Sequence, residues 1–508
     1  MKKTIAGLAI LATAVFGAQP TSANVRDMAD QAKLMWEVQE SYGDTFSQVV
    51  ISQKDSRGFW SDGTYCSEFG PGKVARFPQG ASCDPTTYRG DVLIQFSVMQ
   101  APVCSEVSRD CIETLFATDA QGQTVQGKFL GYVTKNFWVP ANPILGNPQG
   151  KAAGIWQLPG VINSAGTDLY EVHLNMEGGG VSFKDGRQTS KFSMKNRPFN
   201  AGIRPVKATV SGTEVTKDFS CTNCNSLPTD YTFGISTILP ESVVNWYSGR
   251  LQNADVSYQR VDASYFRITV TGKPITIPTF RGQINKGQAT DELLKQFHWC
   301  KSNASECFGL YTNGYGNEAT WTDFLEAWRP LVGDAATGSS VVWTVRTVPV
   351  YFGPGGTRGF YSCTPKNRAA GIVSTNSLMY NGMIPSYEKG FFNYRVAGMH
   401  FEPDGKTEFL GRYEMVMDEQ LARCMFKFPR APISATVTVS GKDGESAVAT
   451  SLVSSSNGKL RLAAYNFTFS EKTIKIKLAA QGHVTCVKGK VTRYVKGTRC
   501  PAGFKKAS

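Results

Sequence analysis

Three features of this 508-residue chain predict a mostly β fold, built as several domains of antiparallel, sandwich-like units with a short helical insertion near 290–330. From residue 92 onwards, short β-branched and aromatic runs alternate with clusters of Gly, Pro, Asn and Asp, the pattern of strands and turns. Helical periodicity is confined to two places, one near the start and one at 290–330. The 12 cysteines, an even number, are spaced to close mostly local loops.

Residues 1–23 read as a secretory signal. Lys2 and Lys3 form its charged start, Ile5 to Ala18 its apolar stretch and Thr21-Ser22-Ala23 a small-residue cleavage site. The apolar stretch is shorter than the roughly 20 residues of a spanning helix, so cleavage before Asn24 is expected over a retained anchor. From Asn24 to Tyr42 the residues Val25, Met28, Ala32 and Met35 recur at helical spacing and predict a short amphipathic helix. Strands are then predicted at Val92 to Met99, Lys128 to Thr134, Leu169 to Met176 and Gly180 to Phe183, giving an N-terminal β-rich domain over 24–205. A second β-rich domain, 206–285, has its clearest strands at Tyr265 to Val270 and Ile275 to Ile277.

The segment 286–430 reads as mixed α+β. Thr290-Asp291-Glu292 supplies an N-cap and acids before Leu293, Leu294 and Phe297; Thr322-Asp323 does the same before Phe324, Leu325 and Trp328, with Pro330 predicted to end that helix. A strand resumes at Val341 to Val350. From 431 to 482 four strands are expected as a small antiparallel unit, with Asp443-Gly444 and Asn457-Gly458 as hairpin turns. The last piece, 483–508, is a basic module pinned by Cys486 and Cys500.

An exported, cysteine-rich chain favours disulfides over metal sites or catalytic thiols. Neighbours in sequence suggest the pairs Cys66 with Cys83, Cys104 with Cys111, Cys221 with Cys224, Cys300 with Cys307, Cys363 with Cys424, and Cys486 with Cys500. The C-x-x-C spacing at Cys221 lacks both a second ligand pair for zinc and a thioredoxin-like context, so a loop disulfide is expected there. No cofactor and no metal is predicted.

Charge is distributed unevenly. Net charge is +13 overall, and the final 88 residues, with 16 Lys and Arg against 3 Asp and Glu, account for all of it. Within 483–508, Lys488, Lys490, Arg493, Lys496, Arg499, Lys505 and Lys506 stand without a single acid. That excess over what solubility requires points to an anionic envelope polymer or membrane surface as partner, against the alternative of a solvated cap on a sheet edge. Nucleic acid is not expected, because base-stacking aromatics there are limited to Tyr494 and Phe504 and the chain is exported.

Other motifs read as structure. Glu171, His173, Asn175 and Glu177 alternate along one strand and are expected to form its wet face. The glycine-rich stretch from Gly353 to Gly359 has no following helix signal and reads as a surface turn. With 4 histidines and neither a G-x-S-x-G nor an H-E-x-x-H motif, catalysis is not indicated. A glycan or wall-polymer hydrolase using acids such as Glu171 or Asp168 is one alternative, since paired carboxylates are distant in sequence; a surface adhesin is another. Trp156, Trp246, Trp299, Trp328 and Trp343 lie in apolar contexts, so packing is expected over a sugar-stacking platform.

The ending Thr485-Cys486-Val487-Lys488-Gly489-Lys490, followed by Arg499-Cys500-Pro501-Ala502-Gly503-Phe504-Lys505-Lys506, resembles a C-terminal TCVKGK…CPxGFKK module of large secreted actinobacterial proteins of unknown function. Upstream phrases are similar to the same proteins: Pro102-Val103-Cys104 with Cys111-Ile112-Glu113, Trp156-Gln157-Leu158-Pro159-Gly160, Trp246-Tyr247-Ser248-Gly249-Arg250 and Ala422-Arg423-Cys424. The resemblance implies an exported compartment and a modular architecture. It brings no catalytic residues. The resulting expectation is an exported, disulfide-stabilised, envelope-associated protein with a binding or structural role.

Overall fold

Side-chain alternation along strands organises the molecule around one long sheet with cores on both of its faces. The computed structural model describes residues 34–506 apart from 39–46, 55–63, 70–80, 84–88, 134–138, 193–198, 285–289, 291–309, 349–362, 364–368 and 442–449, and breaks of one to four residues. The signal at 1–23, the helix predicted at 290–297, Cys300 with Cys307 and the 353–359 turn therefore lie outside the described residues, Thr290 apart.

The fold is mostly β, with several antiparallel sheets and, among the described residues, no closed barrel. The long sheet runs through Thr450–Ser456, Lys459–Thr468, Leu410–Asp418, Gly371–Thr375, Trp246–Arg250, Gly338–Val348, Phe199–Pro205, Leu169–Met176, Gly154–Gln157 and Lys128–Tyr132. Ile275–Ile284 joins it by pairing with Gly338–Val348. Pairing in this sheet is antiparallel except where Trp246–Arg250 meets Gly371–Thr375 and where Leu34–Val38 meets Leu310–Thr312. Hydrogen-bonded pairing thus crosses the positions near 205, 285 and 430.

A five-stranded antiparallel sheet, Gln252–Arg260, Tyr265–Lys273, Thr232–Pro240, Cys111–Thr118 and Thr124–Gln126, shares one core with the long sheet. A second sheet containing Phe391–Ala397, Lys472–Ala480 and Ile433–Gly441 shares the other. The consequence shows in neighbouring residues: Tyr247, Ile372 and Val416 enter the first core, while Trp246, Val373 and Met415 enter the second. A strand covered on both faces shows a continuous apolar run instead of alternation. Tyr247 and Trp343 are both fully buried there, and Trp343 Nε1 donates to the Gly272 carbonyl at 3.0 Å.

Four disulfides close as the spacing predicts: Cys104–Cys111, Cys221–Cys224, Cys363–Cys424 and Cys486–Cys500. Cys66 and Cys83 sit on strands Thr64–Phe69 and Ala81–Cys83, which pair side by side. The strand predictions at 92, 128, 169, 180, 265, 275 and 341 hold to within a few residues, except that the strand from Ile275 continues to Ile284.

Four details differ from the sequence reading. Leu34–Val38, inside the predicted first helix, is a strand paired with Ile284 to Phe280 and with Leu310–Thr312; long-range pairing wins over a weak helical period. Helix α1, Glu318–Val332, passes through Pro330 and stops where Gly333 takes φ 94° and its N–H reaches the Arg329 carbonyl at 3.0 Å. The buried Leu325 and Trp328 hold that helix in place across the proline. The four strands of 431–482 all form and Asn457-Gly458 turns with φ 50° and 72°, but two strands join the long sheet and two join its neighbour.

Helix α2, Glu419–Phe426, was not legible from sequence. Asp418 caps it, accepting from the Leu421 N–H at 2.9 Å, Lys427 ends it in a left-handed conformation, and Cys424 ties it to Cys363. Among the described residues no helix is long and apolar enough to cross a membrane.

Candidate polyanion site in the terminal hairpin

The run from His483 to Lys506 folds as the alternation of Val and Thr with cations suggests. His483–Lys488 and Val491–Lys496 pair antiparallel across a turn in which Gly489 has φ 58°, and Lys505–Lys506 adds a short third strand against Val487 and Cys486. Cys486 is fully buried and Val484 nearly so; with the Cys486–Cys500 bond they make the small interior of the unit. A sheet this small has little apolar core, so the cross-link matters to its integrity.

Lys488, Arg493, Lys496, Arg499, Lys505 and Lys506 are all exposed; Lys490 lies outside the described residues. Register separates them. Arg493 and Lys506 both face Cys486, and Lys488 shares that side, whereas Lys496 and Lys505 fall on the opposite side, opposite His483 and Val487. The Arg493 guanidinium lies 5.1 Å from the centre of the Phe504 ring, which fixes one cation over an aromatic face. None of the six forms an ion pair among the described residues, so each presents an uncompensated charge to solvent.

Glu171 has the opposite surroundings. Its strand, Leu169–Met176, is buried along both faces, which corrects the expectation of a wet face. The physical reason is a set of cations from elsewhere in the chain. Arg204 donates to both Glu171 oxygens, Nη2 to Oε1 and to Oε2 at 2.8 Å each; Lys217 Nζ lies 2.5 Å from Oε2 and His173 Nε2 lies 3.3 Å from Oε1. Burial alone would push the Glu171 pKa up, and His173, Arg204 and Lys217 together outweigh it and hold the carboxyl at about 2. Such a group stays ionised and closed to solvent; it neither gives nor takes a proton near neutrality. Asp168, the other acid named for a hydrolase, accepts a hydrogen bond from Gln157 Nε2 at 3.0 Å. Asn175 accepts from the Met99 N–H at 2.9 Å, and Glu177 lies outside the described residues.

The remaining motifs are placed as follows. Cys221–Cys224 closes a partly exposed loop, where Ser164 Oγ caps the Asn223 carbonyl. Trp156, Trp246, Trp328 and Trp343 are all buried, and Trp299 lies outside the described residues. His400 pairs with Asp334.

Neither a known protein family nor any curated protein matches the chain.

Sequence reasoning missed a polar cleft around Arg412, because its walls come from five separated parts of the chain. It also missed Asp110, whose Oδ2 accepts from the Tyr265 hydroxyl at 3.1 Å while its buried Oδ1 has no partner. Desolvation raises the Asp110 pKa to about 6, against the smaller opposing pull of the Tyr265 hydrogen bond and Arg109.

Proposed function

We propose that this is an exported, disulfide-stabilised protein held at the cell envelope, acting in binding or structure, with its terminal hairpin attached to an anionic envelope polymer or membrane surface. The observation that carries this reading is the set of six exposed, unpaired cations on one disulfide-closed hairpin with no acid in its sequence. Four disulfides are compatible with an oxidising, non-cytoplasmic location. The signal pattern at 1–23 and the likeness of the ending to terminal modules of exported actinobacterial proteins support the same reading.

Charge and form work together here. A rigid hairpin presents its cations without the entropy cost of ordering a free tail, and cations on both sides suit a flexible polymer that wraps the unit. The test is fractionation of cells expressing the full chain or the chain lacking 483–508, with wall, membrane and medium assayed separately. Deletion is expected to move the protein from the envelope to the medium; unchanged retention overturns the proposal.

A further inference from the structure

A cleft of about 330 Å³ opens where the long sheet meets the five-stranded sheet, lined among others by Gln252, Thr276, Asn376, Arg412, Tyr465 and Asn466. Its volume falls within the range of small-ligand sites. A β-bulge shapes it: Gly411 pairs with Phe467 and Arg412 with Tyr465, so Asn466 is the extra residue, carried outward at φ 60°. Gly411 is required at that point, because a Cβ there would sit 2.1 Å from the Phe467 ring.

The polar groups are preorganised. Arg412 lies with its guanidinium 4.5 Å from the centre of the Tyr465 ring, donates from Nη1 to Gln252 Oε1, and has Nε 3.2 Å from Glu414 Oε1. Asn376 holds the Arg412 backbone, accepting its N–H at 2.7 Å. Glu414, nearly fully buried, is also paired with Arg461 at 3.0 Å, so one carboxylate is shared between two guanidinium groups, and Arg412 is the charged side chain that lines the cleft. Arg412 Nη2 and the side chains of Asn466 and Thr276 make no hydrogen bond among the described residues. Leu410, 45% exposed, adds an apolar rim.

We infer that this cleft binds a single sugar ring bearing an anionic group, a uronate or a sugar phosphate. The fixed guanidinium takes the anion through Nη2, the Asn466 amide and the Thr276 hydroxyl take ring hydroxyls, and Leu410 takes the apolar edge of the ring. Arg is suited to this because its planar donors match carboxylate and phosphate oxygens. The cleft is remote in sequence from the terminal hairpin, and the inference does not rest on the reading of that hairpin.

The test is isothermal titration of the full chain with glucuronate, glucose 6-phosphate and glucose, repeated with Arg412→Gln and Asn466→Gly. The glycine variant keeps the left-handed backbone and deletes only an exposed side chain, so it folds even if the first variant does not. Saturable binding of at least one anionic sugar, with glucose at least 10-fold weaker and Asn466→Gly weakened several-fold, is the expected result; the two anions separate the carboxylate from the phosphate form. Binding of neither anion, equal binding of glucose, or unchanged affinity in Asn466→Gly overturns it.

Discussion

Glu171 and the terminal hairpin show two opposite ways of placing charge. In the body one acid is sealed among Arg204, Lys217 and His173 with no exposed surface. In the hairpin six cations stand exposed without any acid. Buried charge must be compensated inside the protein, because transfer from water costs several kcal/mol per ion. Exposed charge is compensated by solvent and small ions, and it stays available to a partner. The same residue types therefore contribute to architecture in one region and, under the proposed function, to binding in the other, and substitutions should separate the two.

The largest separation is expected from the disulfides. Cys363–Cys424 spans 61 residues, so breaking it with paired serines should cost about 4 kcal/mol in the chain-entropy picture and lower the melting temperature of the body. Breaking Cys486–Cys500, which spans 14, should raise hydrogen exchange in the hairpin while the body melts unchanged. Loss of the main melting transition in the second variant would show that the hairpin is part of the body.

Next comes Glu171→Gln. It leaves Arg204 and Lys217 without a counter-charge, and about 3 kcal/mol should be lost at pH 7. The folded pKa is lowered from 4.5 to about 2, so the wild type's advantage is present above the unfolded value and fades as pH falls from about 5 to 2. A denaturation series across that range checks the convergence. A constant gap would mean that packing, not charge, sets the cost.

Asp110 sharpens the rule from the other side, being a largely buried acid with a single side-chain partner. Its folded pKa is raised from 3.8 to about 6, so the native state favours the proton and the wild type gains stability as pH falls from about 6 to 4. Asp110→Asn should therefore stabilise the protein by roughly 2 kcal/mol at pH 7, with the gain disappearing by about pH 4. Asn also tolerates the φ of 54° at this position. Thermal melts of the two proteins at the two pH values read the difference.

Local features of the fold were legible in the sequence, and long-range ones were not. Leu169–Met176 has the predicted limits, and four disulfides join the predicted neighbours, since both follow from alternation and spacing. The burial of Glu171 was not legible because Arg204 and Lys217 arrive from later strands. Helix α2 has eight residues and ends on Lys427 in place of the usual glycine, so no stop signal marked it. The hairpin was readable because its pairing, cross-link and charge all lie within one short segment.

The smallest expected effect on stability accompanies the largest on binding. Changing Lys488, Arg493, Lys496, Arg499, Lys505 and Lys506 to Gln should shift unfolding by less than about 0.5 kcal/mol per site, as for exposed side chains in general. Retention of this variant and of the wild type on immobilised linear polyphosphate is the most direct measurement. The wild type should be held at about 0.1 M salt and released by about 1 M, where the screening length falls from about 10 to about 3 Å, and the neutralised hairpin should pass through at both. Equal retention of the two proteins would contradict the assignment of polyanion binding to the hairpin.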